Sequence, residues 1–268
     1  MFQRALLLVL AAALCQLPFS ASFAEEAKPA AAAPATNPLP EVATPLSEWK
    51  PLIAPSGLAG WKKPTGDWRV DGEITLNPAN EKTLTAKDGQ GTLYNGPKGR
   101  TADIVSEADF GDIALHVEFM VPKGSNSGIY FMGRYEIQVY DSYGVAKDAY
   151  PGIECGGIYQ RWDPSRGKGN EGFEGHSPRV NASKPPGEWQ TFDILFRAPQ
   201  FDAAGKKTAN AKFVKVVHNG AVIHENIELT GPTRGASPEQ EKAAGPLRLQ
   251  GDHGPVAFRN LRIAKLPQ

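Results

Sequence analysis

The chain has 268 residues, 41% of them hydrophobic and 22% charged, with 29 Lys and Arg against 29 Asp and Glu. A balanced charge offers no basic excess for phosphates, so nucleic acid is not an expected partner. Beyond the first 24 residues no apolar run approaches the roughly 20 residues that span a bilayer, so no membrane insertion is expected once that segment is removed.

Residues 1–24 read as a secretory signal peptide. Arg4 is a positive n-region, Ala5–Leu14 a short apolar run, and Ser22-Phe23-Ala24 places small residues at −3 and −1 of a cleavage site. Cys15 invites a lipoprotein reading, but Leu14 directly before it is bulkier than a lipobox accepts. The expected location is therefore exported, periplasmic or extracellular. Residues 25–47 are Ala- and Pro-rich with almost no large apolar side chain, the composition of a disordered tether. Cys155 is then the single remaining cysteine, so the folded domain, expected over 48–268, must rely on its core rather than on disulfides.

From Trp49 onward the chain reads as strand after strand. Trp68–Pro78 suggests a hairpin about Asp71-Gly72. Asp112–Pro122 alternates, with Leu115, Val117 and Phe119 facing one way and His116, Glu118 and Met120 the other. Residues 126–144 hold two strand-like runs split by Gly133-Arg134, with Tyr135, Ile137 and Val139 opposite Glu136 and Gln138. In Glu188–Pro199, Phe192, Ile194 and Phe196 oppose Trp189, Thr191 and Asp193. Asn219-Gly220 accepts the positive φ angles of a type I′ turn between two further strands. Ser237–Ala244 looks helical for up to two turns, and Gly245–Gln250 and Pro255–Leu266 close the chain as strands. Short strands punctuated by 28 Gly and 23 Pro imply an all-β fold, a sandwich of two antiparallel sheets in preference to a barrel.

A sandwich buries one face of each sheet and can curve the other into a groove. The residues opposite the apolar alternation are His116, Glu118, Glu136, Gln138, Trp189, Thr191, Asp193, Arg248 and Gln250. Carboxylates and amides bridge hydroxyls while an indole covers an apolar ring face, which is the chemistry of sugar binding. Each residue has a structural alternative: His116–Glu118 as a solvated pair, Glu136 and Gln138 as cross-strand partners of Lys or Arg, Trp189 as a sheet-end core residue, His253 as an exposed loop residue. The joint occurrence carries the reading. No HExxH, EF-hand loop, GxSxG elbow, P-loop or GxGxxG is present.

The segments 125–144, "GGIYQRW", "NASKPPGEWQTFDILFRA", "VVHNGAVIHENIEL" and "GPLRLQGDHGPVAFRNLRIAKL" resemble the 3-keto-disaccharide hydrolase family, as does the opening "LAGWKKPTGDWRVDGEITL". The resemblance runs from Trp49 to Leu266. It implies a concanavalin-like jelly roll and action on glycosides whose C3 hydroxyl has become a ketone. Residues 160–180 and 201–210 depart from the commoner pattern and are expected as loops at the groove rim.

A C3 ketone acidifies the C2 proton, and the C1 oxygen then lies β to the enolate. Abstraction of H2 expels the aglycone, and water addition completes a net hydrolysis. Such chemistry needs a positioned base and groups aimed at the enolate oxygen. The candidates are Glu136 or Glu118 as base, with Arg134, His116 and His253 assisting the oxyanion or leaving group. Gln138, Gln250, Arg248, Trp189, Asn126 and Asp141 are the candidates for substrate binding. No cofactor is assigned; a divalent metal polarising the ketone is left open. The competing reading is a lectin-like module that binds carbohydrate in the same groove without breaking it.

Overall fold

The computed structural model describes residues 48–55, 57–146 and 154–267. The expected signal peptide and tether lie outside the described residues. Strands are numbered in chain order from β1 (Lys50–Pro51) to β18 (Ala257–Lys265).

The larger sheet runs β16 (Ala221–Leu229), β15 (Ala211–His218), β12 (Gln190–Arg197), β7 (Ile113–Met120), β18, β5 (Thr92–Tyr94) and β2 (Arg69–Asp71), with β1 also paired to β18. The smaller sheet runs β6 (Ile104–Phe110), β17 (Gly245–Leu249), β8 (Asn126–Phe131) and β9 (Tyr135–Tyr140). All pairings are antiparallel. The all-β jelly-roll sandwich expected from the sequence is the fold observed.

Period-2 alternation builds the core. Leu115, Val117 and Phe119 of β7 and Phe192, Ile194 and Phe196 of β12 meet Ile129 and Phe131 of β8 and Tyr135, Ile137 and Val139 of β9; all but Tyr135 are purely apolar, and all are fully buried. Phe119 stacks on Phe192 at 4.7 Å, and Phe131 packs between Phe196 (5.0 Å) and Phe213 (5.2 Å). Each such side chain contributes roughly 1.5–3 kcal/mol on burial, enough to hold the sheets together without a disulfide. Cys155 is a buried free thiol whose pKa burial pushes up to about 12.

Three local expectations need correction. Asp71-Gly72 is no hairpin turn: β2 pairs with β5, while β3 (Ile74–Leu76) pairs with β4 (Leu84–Ala86). Gly72 is there for close approach, since a Cβ on it would lie 3.0 Å from Asp88 O and Gly89 Cα. Residues 237–244 form no helix. The Arg134 guanidinium takes the carbonyls of Ser237, Glu239 and Gln240, which a helix would have kept for itself. Residues 201–210 are not at the rim of the site described below: β13 (Gln200–Phe201) and β14 (Lys207–Ala209) form a hairpin beside Arg197 and Lys212. The Asn219-Gly220 turn is as expected, with φ of 49° and 84°.

Candidate active site

The outward face of the smaller sheet holds a hollow of about 440 Å³, within the range of small-molecule sites. β8 and β9 form its floor. Register pairs Tyr130 with Glu136 and Gly128 with Gln138, so alternation turns Tyr130, Glu136 and Gln138 outward while their neighbours enter the core. Asn126, Tyr140, Gln250 and His253 line one end, and Tyr159, Arg234 and Gly235 the other.

Two chain segments enclose what would be an open edge and face of the sheet. Residues 156–159 run along the free edge of β9: Gln138 N donates to Gly157 O, Gly156 N to Gln138 O, and Tyr159 N to Glu136 O. Residues 233–235 cross above, with Glu136 N donating to Thr233 Oγ1 and Arg248 Nη2 to Gly235 O at 2.6 Å. Glu136 is consequently only 2% exposed. Its carboxylate lies over Gly128, where a Cβ would come within 2.2 Å of Oε1. A glycine at 128 is required by that approach.

Burial raises the Glu136 pKa to about 8, although a hydrogen bond with the Tyr130 side chain and the nearby Arg248 charge favour the ionised form. Tyr130 is pushed well above its ordinary range, chiefly by burial and then by the Glu136 charge. Arg248 stacks on the Tyr130 ring at 3.8 Å and reaches Asp103 at 3.5 Å. A cation is therefore fixed behind the tyrosine. Gln138 Nε2 donates to Asn126 Oδ1 at 2.7 Å, which orients both amides along the floor. The His253 ring contacts the Asp252 carboxylate through Nδ1. A carboxyl that ionises near neutrality, surrounded by amides, phenols and two arginines, suits proton transfer on a polyhydroxylated ligand.

The structure brings together Glu136, Gln138, Asn126, Gln250 and His253, with Arg248 behind Tyr130. It separates the others. His116, Glu118 and Trp189 point outward from the larger sheet, on the opposite side of the sandwich, because β7 and β12 turn their odd-numbered and even-numbered core faces respectively toward β8 and β9. His116 Nδ1 meets Asp193 Oδ1 at 2.7 Å there, and Glu118 meets Arg259 at 2.6 Å and Asn260. Arg259 lies 4.1 Å over Trp189. The expectation of one groove holding all these residues is corrected: two outer faces carry them. Arg134 is 5% exposed and bound to the carbonyls named above, so its guanidinium is spent on holding the 237–240 segment. Asp141 accepts from Gly124 N and Tyr143 N and shapes a turn outside the hollow.

Sequence reasoning missed Tyr130, Tyr140, Tyr159 and Arg234. Tyr130 and Tyr140 share parity with Glu136 on the paired strands, a signal that was available. Tyr159 and Arg234 arrive from connecting segments, and no local pattern marks them. Among the described residues no group of three or more His, Cys, Asp or Glu is arranged to hold a metal ion. Two other hollows, of about 500 and 630 Å³, are lined by surface charges that include the pairs Arg197 with Asp112 and Lys212 with Glu228.

A jelly roll with a polar hollow floored by a buried carboxyl suits the carbohydrate-active class, and the family match places the chain there. Residues 48–264 match the model of the 3-keto-alpha-glucoside-1,2-lyase-like domain, and the chain belongs to that family. No curated protein matches the sequence. Among solved structures, a "putative glycosyl hydrolase" from Parabacteroides distasonis ATCC 8503 is 28% identical with a TM-score of 0.57, covering 80% of this chain and 82% of that one. A second such structure from the same organism, 19% identical with a TM-score of 0.52, covers 82% of this chain and all of that one and shows the shared fold.

Proposed function

We propose that the protein cleaves the glycosidic bond of 3-keto-glycosides by proton abstraction at C2 and β-elimination, with water addition giving net hydrolysis. The observation that carries this reading is Glu136, a buried carboxyl with a pKa near 8 on the floor of the hollow. Membership of a 3-keto-alpha-glucoside-1,2-lyase-like family supports the substrate class.

Ionised Glu136 takes H2, and the C–H pair becomes the C2–C3 double bond of an enolate whose charge sits on the former ketone oxygen. Collapse of the enolate forms the C1–C2 double bond and expels the aglycone oxygen from C1. Protonation of that oxygen yields the free alcohol and an enone, to which water adds at C1 with return of a proton to C2. A base of pKa near 8 is strong enough to matter against an activated C–H and still partly ionised at neutral pH. His253 and Arg234 line the hollow as donors for the enolate and leaving oxygens, and Gln138, Asn126 and Gln250 serve the remaining hydroxyls. Export through residues 1–24 belongs to the same reading, because a tethered or secreted enzyme meets oxidised glycosides outside the cytoplasm.

The test is release of reducing sugar from a 3-keto-disaccharide and from its unoxidised parent. Wild type should act on the former alone, and Glu136→Gln should lose a factor of roughly 10²–10⁴. Binding of both sugars with turnover of neither would replace this reading with the lectin-like one.

A further inference from the structure

The departure at residues 160–180 places an aromatic platform beside the hollow. β10 (Arg161–Trp162) and β11 (Gly172–Phe173) form a short hairpin. It hangs from the segment that edges β9, since Ile158 bridges both Ile137 and His176. Trp162, in its last register pair opposite Gly172, is 39% exposed, one of the few large apolar side chains left in solvent among the described residues. One face of its ring is covered by the Arg234 guanidinium at 3.8 Å, and Arg234 itself lines the hollow.

The hairpin is held in place by several independent contacts. Arg234 N donates to Gln160 O at 2.8 Å. The Phe173 ring contacts the guanidinium groups of both Arg161 (4.9 Å) and Arg166 (4.3 Å). Arg161 also reaches Glu174 and Thr230, and Gly231 leaves room for it: a Cβ there would meet Arg161 Nη2 at 2.6 Å. Asp163 caps the following turn by accepting from Ser165 N. An exposed indole on a flexible loop would be incidental; this one is pinned against a residue of the site. Arg234 has no carboxylate partner among the described residues, so its outward donors remain available to a ligand.

We propose that Trp162 forms a leaving-group subsite for a second pyranose ring, which stacks its C–H face on the indole face that Arg234 leaves exposed, while Arg234 on the opposite face holds the indole and donates into the hollow. This rests on the 3-keto-glycoside reading for the ring held over Glu136. The stack supplies orientation only where the aglycone is itself a ring, so the site selects disaccharides over glycosides with small aglycones.

The experiment compares a 3-keto-disaccharide with its methyl 3-keto-glycoside counterpart, using wild type, Trp162→Ala and Trp162→Phe. Trp162→Ala should lower kcat/KM about ten-fold more for the disaccharide than for the methyl glycoside, while Trp162→Phe should retain most of the wild-type value. Equal losses on both substrates, or no loss on either, would overturn the subsite. Affinity for the unoxidised disaccharide against methyl glucoside, measured by titration calorimetry in the Glu136→Gln background, supplies a readout free of turnover. If wild type cleaves no 3-keto sugar but Trp162→Ala still weakens the disaccharide selectively, the subsite stands and the proposed reaction fails. If turnover is present and Trp162→Ala leaves disaccharide affinity unchanged, the reaction stands and the subsite fails.

Discussion

Gly128→Ala isolates the position of Glu136 from its presence. A Cβ at residue 128 would lie 2.2 Å from Glu136 Oε1, 2.9 Å from Cδ and 3.1 Å from Cγ, where ordinary contact begins at 3.4 Å. The carboxyl must therefore move by more than 1 Å. It is the far end of a rotatable side chain, so the fold can yield there without moving backbone. Residue 128 does not have positive φ, which leaves alanine unstrained in the strand. A displacement of about 1 Å at a catalytic group costs on the order of 10²-fold in rate, and that is the expected fall in kcat/KM. The displaced carboxyl also moves toward the water of the hollow, so burial raises its pKa less. For a base, kcat/KM rises with pH up to the free-enzyme pKa; that midpoint should lie near 8 in wild type and drop toward 4.5 in the variant. Thermal unfolding should change little. Gly128→Ala combined with Glu136→Gln should lose no more activity than Glu136→Gln alone, because both act on one group. An intact Gly128→Ala protein with unchanged rate and unchanged pH midpoint would refute the placement of the base.

Further outcomes concern stability, the opposite face and processing. The Glu136 pKa is raised from 4.5 to about 8 by burial, so its contribution to stability is complete below pH 4.5 and is lost as pH rises toward 8. Glu136→Gln, which cannot ionise, should therefore be more stable than wild type in denaturant unfolding at pH 9 but not at pH 4, by up to about 5 kcal/mol at 1.36 kcal/mol per pH decade. Glu118→Gln and His116→Asn, on the far side of the sandwich, should leave turnover of a 3-keto-disaccharide unchanged; a hundred-fold loss in either would contradict the site. Arg134→Lys removes the planar fork that serves three carbonyls and should cost about 2–3 kcal/mol in denaturant unfolding without shifting the pH midpoint of activity. N-terminal sequencing of protein from the native host should begin at Glu25; a chain beginning at Met1 would remove the export proposal, and one beginning at lipidated Cys15 would replace the Ala24–Glu25 cleavage site with a lipoprotein one.

The sequence by itself determined the long core strands and their faces. Side-chain direction in a strand has period 2, so Leu115, Val117, Phe119, Tyr135, Ile137 and Val139 could be assigned inward from their spacing, and all of them are core residues. The same parity put Glu136 and Gln138 outward, where they floor the hollow. What parity cannot express is which outward face belongs to which sheet. Glu118 and Glu136 look equivalent along the chain, yet β7 and β9 lie in different sheets and present them to opposite sides of the molecule. Nor does a strand pattern show what crosses above it. Segments 156–159 and 233–235 bury Glu136, and their approach turns an expected surface carboxylate into one that ionises near pH 8. Arg134 illustrates the same limit: Met132 and Gly133, with φ of 56° and 67°, swing it out of the strand alternation and onto carbonyls more than a hundred residues away. Local spacing fixes where a side chain starts. The charge it carries depends on the water excluded by distant parts of the chain, and only the tertiary structure decides that.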